Sequence, residues 1–415
     1  MMTRKSWLEQ GLILIVIFAL GIILGRKVYI SWHTTKTGPQ QEKKVSLRKQ
    51  TTQHDNVVAG TLPVNVYQNL QKEVVASAAP KTIAYVKRQL QGHDFTGTVT
   101  VISHGRLLYQ QGIGYADRKN KIPNTATTAY QIASIQKGIT AMLLMKQVQA
   151  GRVKLTDKIS KYYPQIKYGN QVTLKDMVNM QSGVIASPLP KQEMKRKKFV
   201  QWVADNFKID PQQIKKSSYQ PSNYVLLAGI VERVSHQTYE HLFEQQIVKP
   251  LKLQHTFFYS QRDQYAGQYA LGYYNQMRPD APPVKEEERD FTNQFGTGNI
   301  YMTNGDLYRM LAAFVTSKLL PLEYTKQMYQ LEGKVNTYAA GTYLVTRRMR
   351  NKLADPKYKG YYFRGTEFGY DSFGDISADG QTCVLFQANT RSYQQPFNMV
   401  TDVNIYKYLI DNKIQ

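Results

Sequence analysis

Ser134 and Lys137 stand at the head of an apolar stretch, Ala133 to Ala150, in the order Ala-Ser-Ile-Gln-Lys. In a helix, residues three apart share a face, so this spacing sets an amine one turn from a hydroxyl. The unpaired N–H groups of a helix start favour a developing oxyanion and disfavour an ammonium. A buried Lys137 would therefore be partly neutral and able to take the proton of Ser134, turning the hydroxyl into a nucleophile. Spacing alone does not decide this. Ser46-Leu-Arg-Lys49 has the same form in a polar stretch where it is accidental, and an ordinary N-cap serine is the plain alternative for Ser134. Other chemistry has little footing. The sequence has no Gly-x-Ser-x-Gly, no Gly-x-x-x-x-Gly-Lys and no His-x-x-x-His, and its seven histidines are scattered, with His104 reading as part of a hairpin turn. A lone cysteine, Cys383, excludes a disulfide framework and a thiolate-rich metal site. No metal and no cofactor are expected.

The elements that must position these groups follow from periodicity and breakers. Lys81 to Leu90 reads as a helix opened by Pro80. Thr96 to Ile102 alternates like a strand, turns at His104-Gly105 and returns along Leu107 to Tyr115 as a hairpin. The apolar helix Ala133 to Ala150 stops at Gly151. Helical patterns recur near Leu174 to Met180, Tyr224 to Val234, Tyr239 to Ile247 and Gly305 to Leu319. Strand patterns return at Thr337 to Thr346, Phe368 to Ser377 and Thr382 to Ala388, before a last helix from Thr401 to Ile410. Strands at both ends and helices between them predict one sheet built from both ends of the chain, with a mainly helical region inserted and a cleft between the two. There is no internal repeat.

The chain has 415 residues, 54 Lys+Arg against 30 Asp+Glu, and a formal net charge of +24. Such an excess suits nucleic acid, an anionic membrane surface or an anionic wall polymer. The N-terminus chooses between them. Arg4 and Lys5 precede an unbroken apolar run from Gly11 to Gly25, followed by Arg26, Lys27, Tyr29 and Trp32 with no small-x-small cleavage pattern. This reads as a membrane anchor within residues 1–30 in preference to the alternative of a cleaved signal peptide, then a polar tether over 31–67 and an extracellular domain over 68–415. The expected location is the cell membrane, single-pass, with the folded body outside; the expected partner is an anionic envelope polymer, not nucleic acid. The run Lys195 to Lys198 and the group Arg347, Arg348 and Arg350 read as solvated faces.

Five stretches carry a resemblance. Tyr130 to Lys137, Leu155 to Pro164, Thr173 to Gly183, Tyr219 to Glu232 and Gly296 to Leu307 resemble, in order, the penicillin-binding-protein and class C β-lactamase family of serine hydrolases. The likeness runs from about Thr96 to Asn389. It implies an α/β, β-lactamase/transpeptidase-like fold: an antiparallel sheet flanked by helices plus a helical insertion, here behind an N-terminal transmembrane helix. It implies an acyl-enzyme on Ser134, with Lys137 as activating partner and Tyr219 as the phenol that shuttles a proton to the leaving group. Two positions depart from the family. Pro221 stands where the Tyr-x-Asn element has asparagine and offers no hydrogen bond, so that support moves to Ser222 or Asn223. Phe363-Arg364-Gly365, followed by Thr366, stands where Lys-Thr-Gly or His-x-Gly is expected. Gly365 still permits close approach, and the N–H of Thr366 pairs with that of Ser134 as an oxyanion hole. Phe363 cannot bind a substrate carboxylate as the family's basic residue does, and Arg364 is expected on the opposite face of the strand.

The resemblance extends to teichoic-acid D-alanyl esterases, which join an N-terminal anchor, Ser-x-x-Lys, a tyrosine and a degenerate third element. Esterase action on teichoic or lipoteichoic acid is the favoured expectation. A D-alanyl ester bears an ammonium and no carboxylate, and Glu367 or Asp371 stands near enough in sequence to receive it. A D-alanyl-D-alanine carboxypeptidase acting on peptidoglycan, with Arg364 in the carboxylate role, is the alternative. A non-catalytic envelope-binding relative is the third.

Overall fold

The alternating segments at the two ends of the chain form one antiparallel sheet. The computed structural model describes residues 69–91, 95–274, 280–332, 337–345, 356–391 and 401–412, all within one compact unit. The strands are β1 (Val74–Val75), β2 (Gly97–Ser103), β3 (Arg106–Ile113), β4 (Tyr338–Ala339), β5 (Thr342–Leu344), β6 (Gly360–Glu367), β7 (Tyr370–Ser377) and β8 (Cys383–Ala388). Their order is β1-β3-β2-β8-β7-β6-β5-β4. β2 and β8 join the two ends of the sequence, from Cys383 opposite Ile102 to Ala388 opposite Gly97.

Period-two alternation divides the core. Tyr362 and Phe386 face one side, where helices α1 (Pro80–Leu90) and α5 (Thr401–Asp411) cover the sheet. Tyr85 of α1 stacks on Tyr408 of α5 with centroids 4.1 Å apart. Phe363 and Leu385, one position away in each strand, face the helical side. There α2 (Gln136–Gln149) has 11 of its 14 residues buried, the mark of a helix packed all round. It lies against α3 (Ser222–Ser235), and α4 (Asn304–Val315) packs on β2 and β8. Each fully buried Leu or Met of α2 contributes roughly 1.5–3 kcal/mol, so the residues that carry chemistry sit on the best-anchored helix.

Expected elements are modified where the backbone turns. The helix does not run from Ala133: that residue has φ 44° and opens a 3₁₀ turn, Ala133–Ile135, ahead of α2. The expected strand Thr337 to Thr346 is broken by Ala340 (φ 51°) and Gly341 (φ 86°) into β4 and β5. Phe368 belongs to the turn before β7, and Gly114 (φ 69°) ends the hairpin before Tyr115. A second hairpin, Ser182–Ala186 with Lys208–Ile214, and a helix, Arg196–Asp205, were not apparent in the sequence pattern. The expected anchor, the tether and the group Arg347, Arg348 and Arg350 lie outside the described residues. Among the described residues no helix is long and apolar enough to cross a membrane.

Candidate active site

The left-handed backbone at Ala133 bends the chain from the short strand Tyr130–Gln131 into α2 and presents Ser134 at the bend. Two glutamines flanking it fix the turn. Gln131 donates to the Gly298 carbonyl at 2.6 Å, and Gln136 exchanges hydrogen bonds with Asn299, donating at 2.8 Å and accepting at 2.6 Å. Lys137, only 1% exposed, directs its Nζ to Ser134 Oγ at 2.8 Å. Burial among apolar neighbours lowers its pKa to about 7, against a partial upward pull from Glu367. An amine of that pKa is about half free base at neutrality, and that form takes a hydroxyl proton.

Tyr219 closes the other side of Ser134. The residue as a whole is 43% exposed, while its hydroxyl is buried and hydrogen-bonded to Ser134. Burial raises the phenol to about 12, so the phenol keeps its proton near neutrality and serves as a donor. Lys137 Nζ lies 5.2 Å from the ring centroid, and Tyr338 meets the same ring edge-on at 5.7 Å. The chain before it is pinned where the N–H of Ser218 donates to the Met180 carbonyl at 2.9 Å.

Strand β6 forms the third wall. A Cβ at Gly365 would lie 2.0 Å from the Ile132 carbonyl and 2.8 Å from Ser134 N, so only glycine lets the strand run against the nucleophile turn. Phe368 (φ 47°) and Gly369 (φ 87°) make a two-residue hairpin turn of the type with two positive φ values. That turn makes Glu367 and Tyr370 a hydrogen-bonded pair, and antiparallel alternation then turns the N–H of Thr366, opposite Asp371, away from β7. The oxyanion-donor role expected of Thr366 has the orientation it needs.

Comparisons with known proteins give the family. Residues 83–391 match the family model described as Beta-lactamase. The chain belongs to the β-lactamase family of serine hydrolases. It is 33% identical over 283 residues to a teichoic acid D-alanine hydrolase of Staphylococcus aureus, covering 65% of this chain and 69% of that protein. The crystal structure of FmtA from Staphylococcus aureus superposes with a TM-score of 0.69 at 27% identity, over 82% of this chain and 91% of that one. D-amino acid amidase from Ochrobactrum anthropi, 19% identical, shares the fold with a TM-score of 0.63 over 81% of this chain and all of that one.

The hydrolase opens on a cleft of about 420 Å³ lined by Ser134, Lys137, Pro221, Ser222 and Glu367. Not all expected binding residues reach it. Arg364 and Asp371 project from the other face of the sheet, paired with each other at 2.8 Å, while Thr366 Oγ1 also donates to Asp371 at 2.8 Å. Strand alternation places Arg364 there, and the register places Asp371 beside it. Asn223 is fully buried and turns to the Gln220 carbonyl (3.1 Å) and Met180 Sδ (3.6 Å), away from the cleft. Phe363 is fully buried in the helical-side core. Asp290, Asn293 and Ser187 also line the cleft; Asp290 is in the five-residue helix Glu288–Thr292, which Asn293 ends, and that helix is too short to show a period in the sequence, while Ser187 follows a strand. Among the described residues no group of three His, Cys, Asp or Glu side chains could hold a metal ion. Arg196, expected on a solvated face, is paired with Glu232 at 2.9 Å and with Glu240, and stacks over Phe295 at 4.7 Å.

Proposed function

We propose that this protein is a serine hydrolase of the cell envelope that removes D-alanyl esters from teichoic or lipoteichoic acid. The observation that carries the proposal is a complete Ser134, Lys137 and Tyr219 constellation beside a strand whose carboxylate-binding position is filled by buried Phe363. The neighbouring cation, Arg364, is held by Asp371 on the far face of the sheet. A substrate with a free carboxylate loses its partner there, and a D-alanyl ester does not need one. The teichoic acid D-alanine hydrolase of Staphylococcus aureus, at 33% identity, supports the same reading.

In this mechanism neutral Lys137 takes the proton of Ser134 as Oγ attacks the ester carbonyl. The N–H groups of Ser134 and Thr366 receive the negative charge of the tetrahedral oxygen. Tyr219 gives its proton to the departing alkoxide of the polyol, and the Lys137 ammonium restores it. Water then attacks the D-alanyl-Ser134 ester, Lys137 again taking the proton, and D-alanine leaves with Ser134 regenerated. Membrane anchoring belongs to the same proposal and is supported by the apolar run Gly11 to Gly25 and its basic flanks; fractionation of cells expressing the full chain tests it. The deciding assay compares D-alanine release from purified lipoteichoic acid with release from a muropeptide pentapeptide. Release from the polymer alone is expected. Release from the pentapeptide alone would replace the esterase with a carboxypeptidase, and release from neither would make the chain a binding relative.

A further inference from the structure

We infer that Glu367 and Asp290, with the hydroxyl of Ser222, form a subsite for the primary ammonium of the acyl group, so that the enzyme selects α-amino esters over esters of plain carboxylic acids. The inference rests on the esterase reading and adds the determinant of its acyl specificity. A primary ammonium has three N–H donors and needs acceptors around it. Both carboxylates line the same cleft as Ser134, and Glu367 is raised above the ordinary carboxylate range chiefly by burial, with Asp290 adding to the rise. Glu367 follows the oxyanion-hole residue Thr366 by one position and projects to the same side of β6 as Gly365, which touches the nucleophile turn.

A second observation is independent of the carboxylates. Ser222 is 7% exposed, lines this cleft, and its Oγ has no hydrogen-bond partner among the described residues. Asn293 Oδ1, in the same wall, is likewise buried and unpartnered. Buried polar atoms are rarely left unpaired, and two of them in residues that line one cleft mark a place where a ligand supplies the donors. Existing partners leave the carboxylates available. Asp290 accepts one backbone N–H, from Glu287 at 3.3 Å, and meets Arg289 at 3.6 Å. Arg391 and Lys137 also pull on Glu367. Lys137 is uncharged in the form that is ready to activate Ser134, so it does not neutralise Glu367 while the ester binds, before the attack. The ammonium of an α-amino ester lies two bonds from the carbonyl carbon, which places it beside Ser134, where Glu367 projects.

Methyl D-alaninate and methyl propionate differ only by the ammonium, and the ratio of their kcat/KM values reads the subsite directly. Wild-type enzyme should favour the alaninate. Glu367→Gln should lower the ratio roughly 10- to 100-fold, the worth of a charge-assisted hydrogen bond in a partly buried site. Asp290→Asn and Ser222→Ala should each lower it about threefold, from more exposed or uncharged contacts. Labelling of Ser134 by an uncharged fluorophosphonate confirms that each variant is folded; if Glu367→Gln fails this check, Asp290→Asn and Ser222→Ala carry the measurement. A ratio within twofold of wild type in folded variants, or wild-type enzyme with no preference between the two esters, would overturn the subsite. Wild-type enzyme that prefers methyl D-alaninate but releases nothing from lipoteichoic acid would keep the subsite and remove the polymer as substrate, so the two readings fail separately.

Discussion

Lys137 and Lys175 are each the second residue of a helix, each buried, and each lowered by that burial to a pKa of about 7. Only one is placed to do chemistry. Lys137 Nζ meets Ser134 Oγ at 2.8 Å on the wall of an open cleft. Lys175 Nζ instead donates to the carbonyls of Gln327 (2.7 Å) and Met328 (3.3 Å), in the last turn of the helix Leu322–Tyr329. There a cation satisfies carbonyls that a helix end leaves unpaired. The shift in proton affinity is the same at both places. What distinguishes a base from a clamp is the partner: a hydroxyl beside solvent-accessible space, or two carbonyls in a sealed core.

The largest effects should separate the two lysines. Ser134→Ala should abolish hydrolysis while the fold persists, and Lys137→Ala should lower kcat roughly a thousandfold or more, because an unassisted serine is a weak nucleophile. Lys175→Met should leave kcat/KM within about threefold, since it touches no reacting atom. Steady-state kinetics on a D-alanyl ester decides. Wild-type turnover in Ser134→Ala would end the mechanism, and a Lys175→Met loss equal to that of Lys137→Ala would erase the contrast.

The pH dependence should sharpen it. Activity that needs neutral Lys137 should rise about tenfold per pH unit up to about pH 7 and level off above, in wild type and Lys175→Met alike. Stability should report both lysines. Both lysines bind protons more weakly folded than unfolded, so each destabilises fully below about pH 7 and is relieved as pH rises toward the ordinary lysine value. Urea unfolding across that window should lose part of its upward slope in Lys175→Met. An unchanged slope would mean that Lys175 is not the buried titrating group it is taken to be.

Much of this contrast was legible in the sequence, and the rest was not for physical reasons. Ser134 and Lys137 are one helical turn apart, so local geometry alone joins them, and strand alternation alone places Arg364 on the far face. Glu367 follows from the same alternation. Asp371 does not, because its side depends on the register of β6 with β7, which a two-residue turn sets and the sequence pattern left open. Asn223 was expected as a substitute for the asparagine lost at Pro221, yet one helical step turns it to Met180 and leaves Ser222 at the cleft. Asp290 and Asn293 belong to the five-residue helix Glu288–Thr292 and its C-cap, too short to show a period, and tertiary packing brings that helix to the cleft. Within the sheet, both ends of the chain were readable because buried strands alternate; the hairpin Ser182–Ala186 with Lys208–Ile214 was not, because its register shifts twice.

A smaller effect concerns drugs that carry a carboxylate. With Phe363 apolar and buried and Arg364 engaged by Asp371, the strand offers no free cation where the family's peptidases hold one. Acylation by fluorescent penicillin should be roughly 10- to 100-fold slower than for a typical penicillin-binding protein, the worth of one charge-assisted contact. Strong labelling at low concentration would show that a cation elsewhere in the cleft serves a carboxylate and would favour the carboxypeptidase.

The smallest effect extends the comparison to a third kind of lysine. Lys195, Lys197 and Lys198 are exposed, and the last two stand on the helix Arg196–Asp205, whose Val203 lines the cleft. Arg196 in their midst is held by Glu232 and Glu240 and contributes structure, not free charge. Exposed cations act over a Debye length of about 10 Å at 0.1 M salt and carry no fixed geometry. They should therefore raise the encounter rate with a polymer of phosphates and leave a small ester indifferent. Across a salt series, kcat/KM on lipoteichoic acid should fall about three- to tenfold, while kcat/KM on methyl D-alaninate changes far less. Replacing Lys197 and Lys198 by Ser should flatten the polymer curve without touching the pH limb set by Lys137, because the two kinds of lysine act over different distances. Equal salt responses on both substrates would make the positive charge a general surface property with no part in recruiting the polymer.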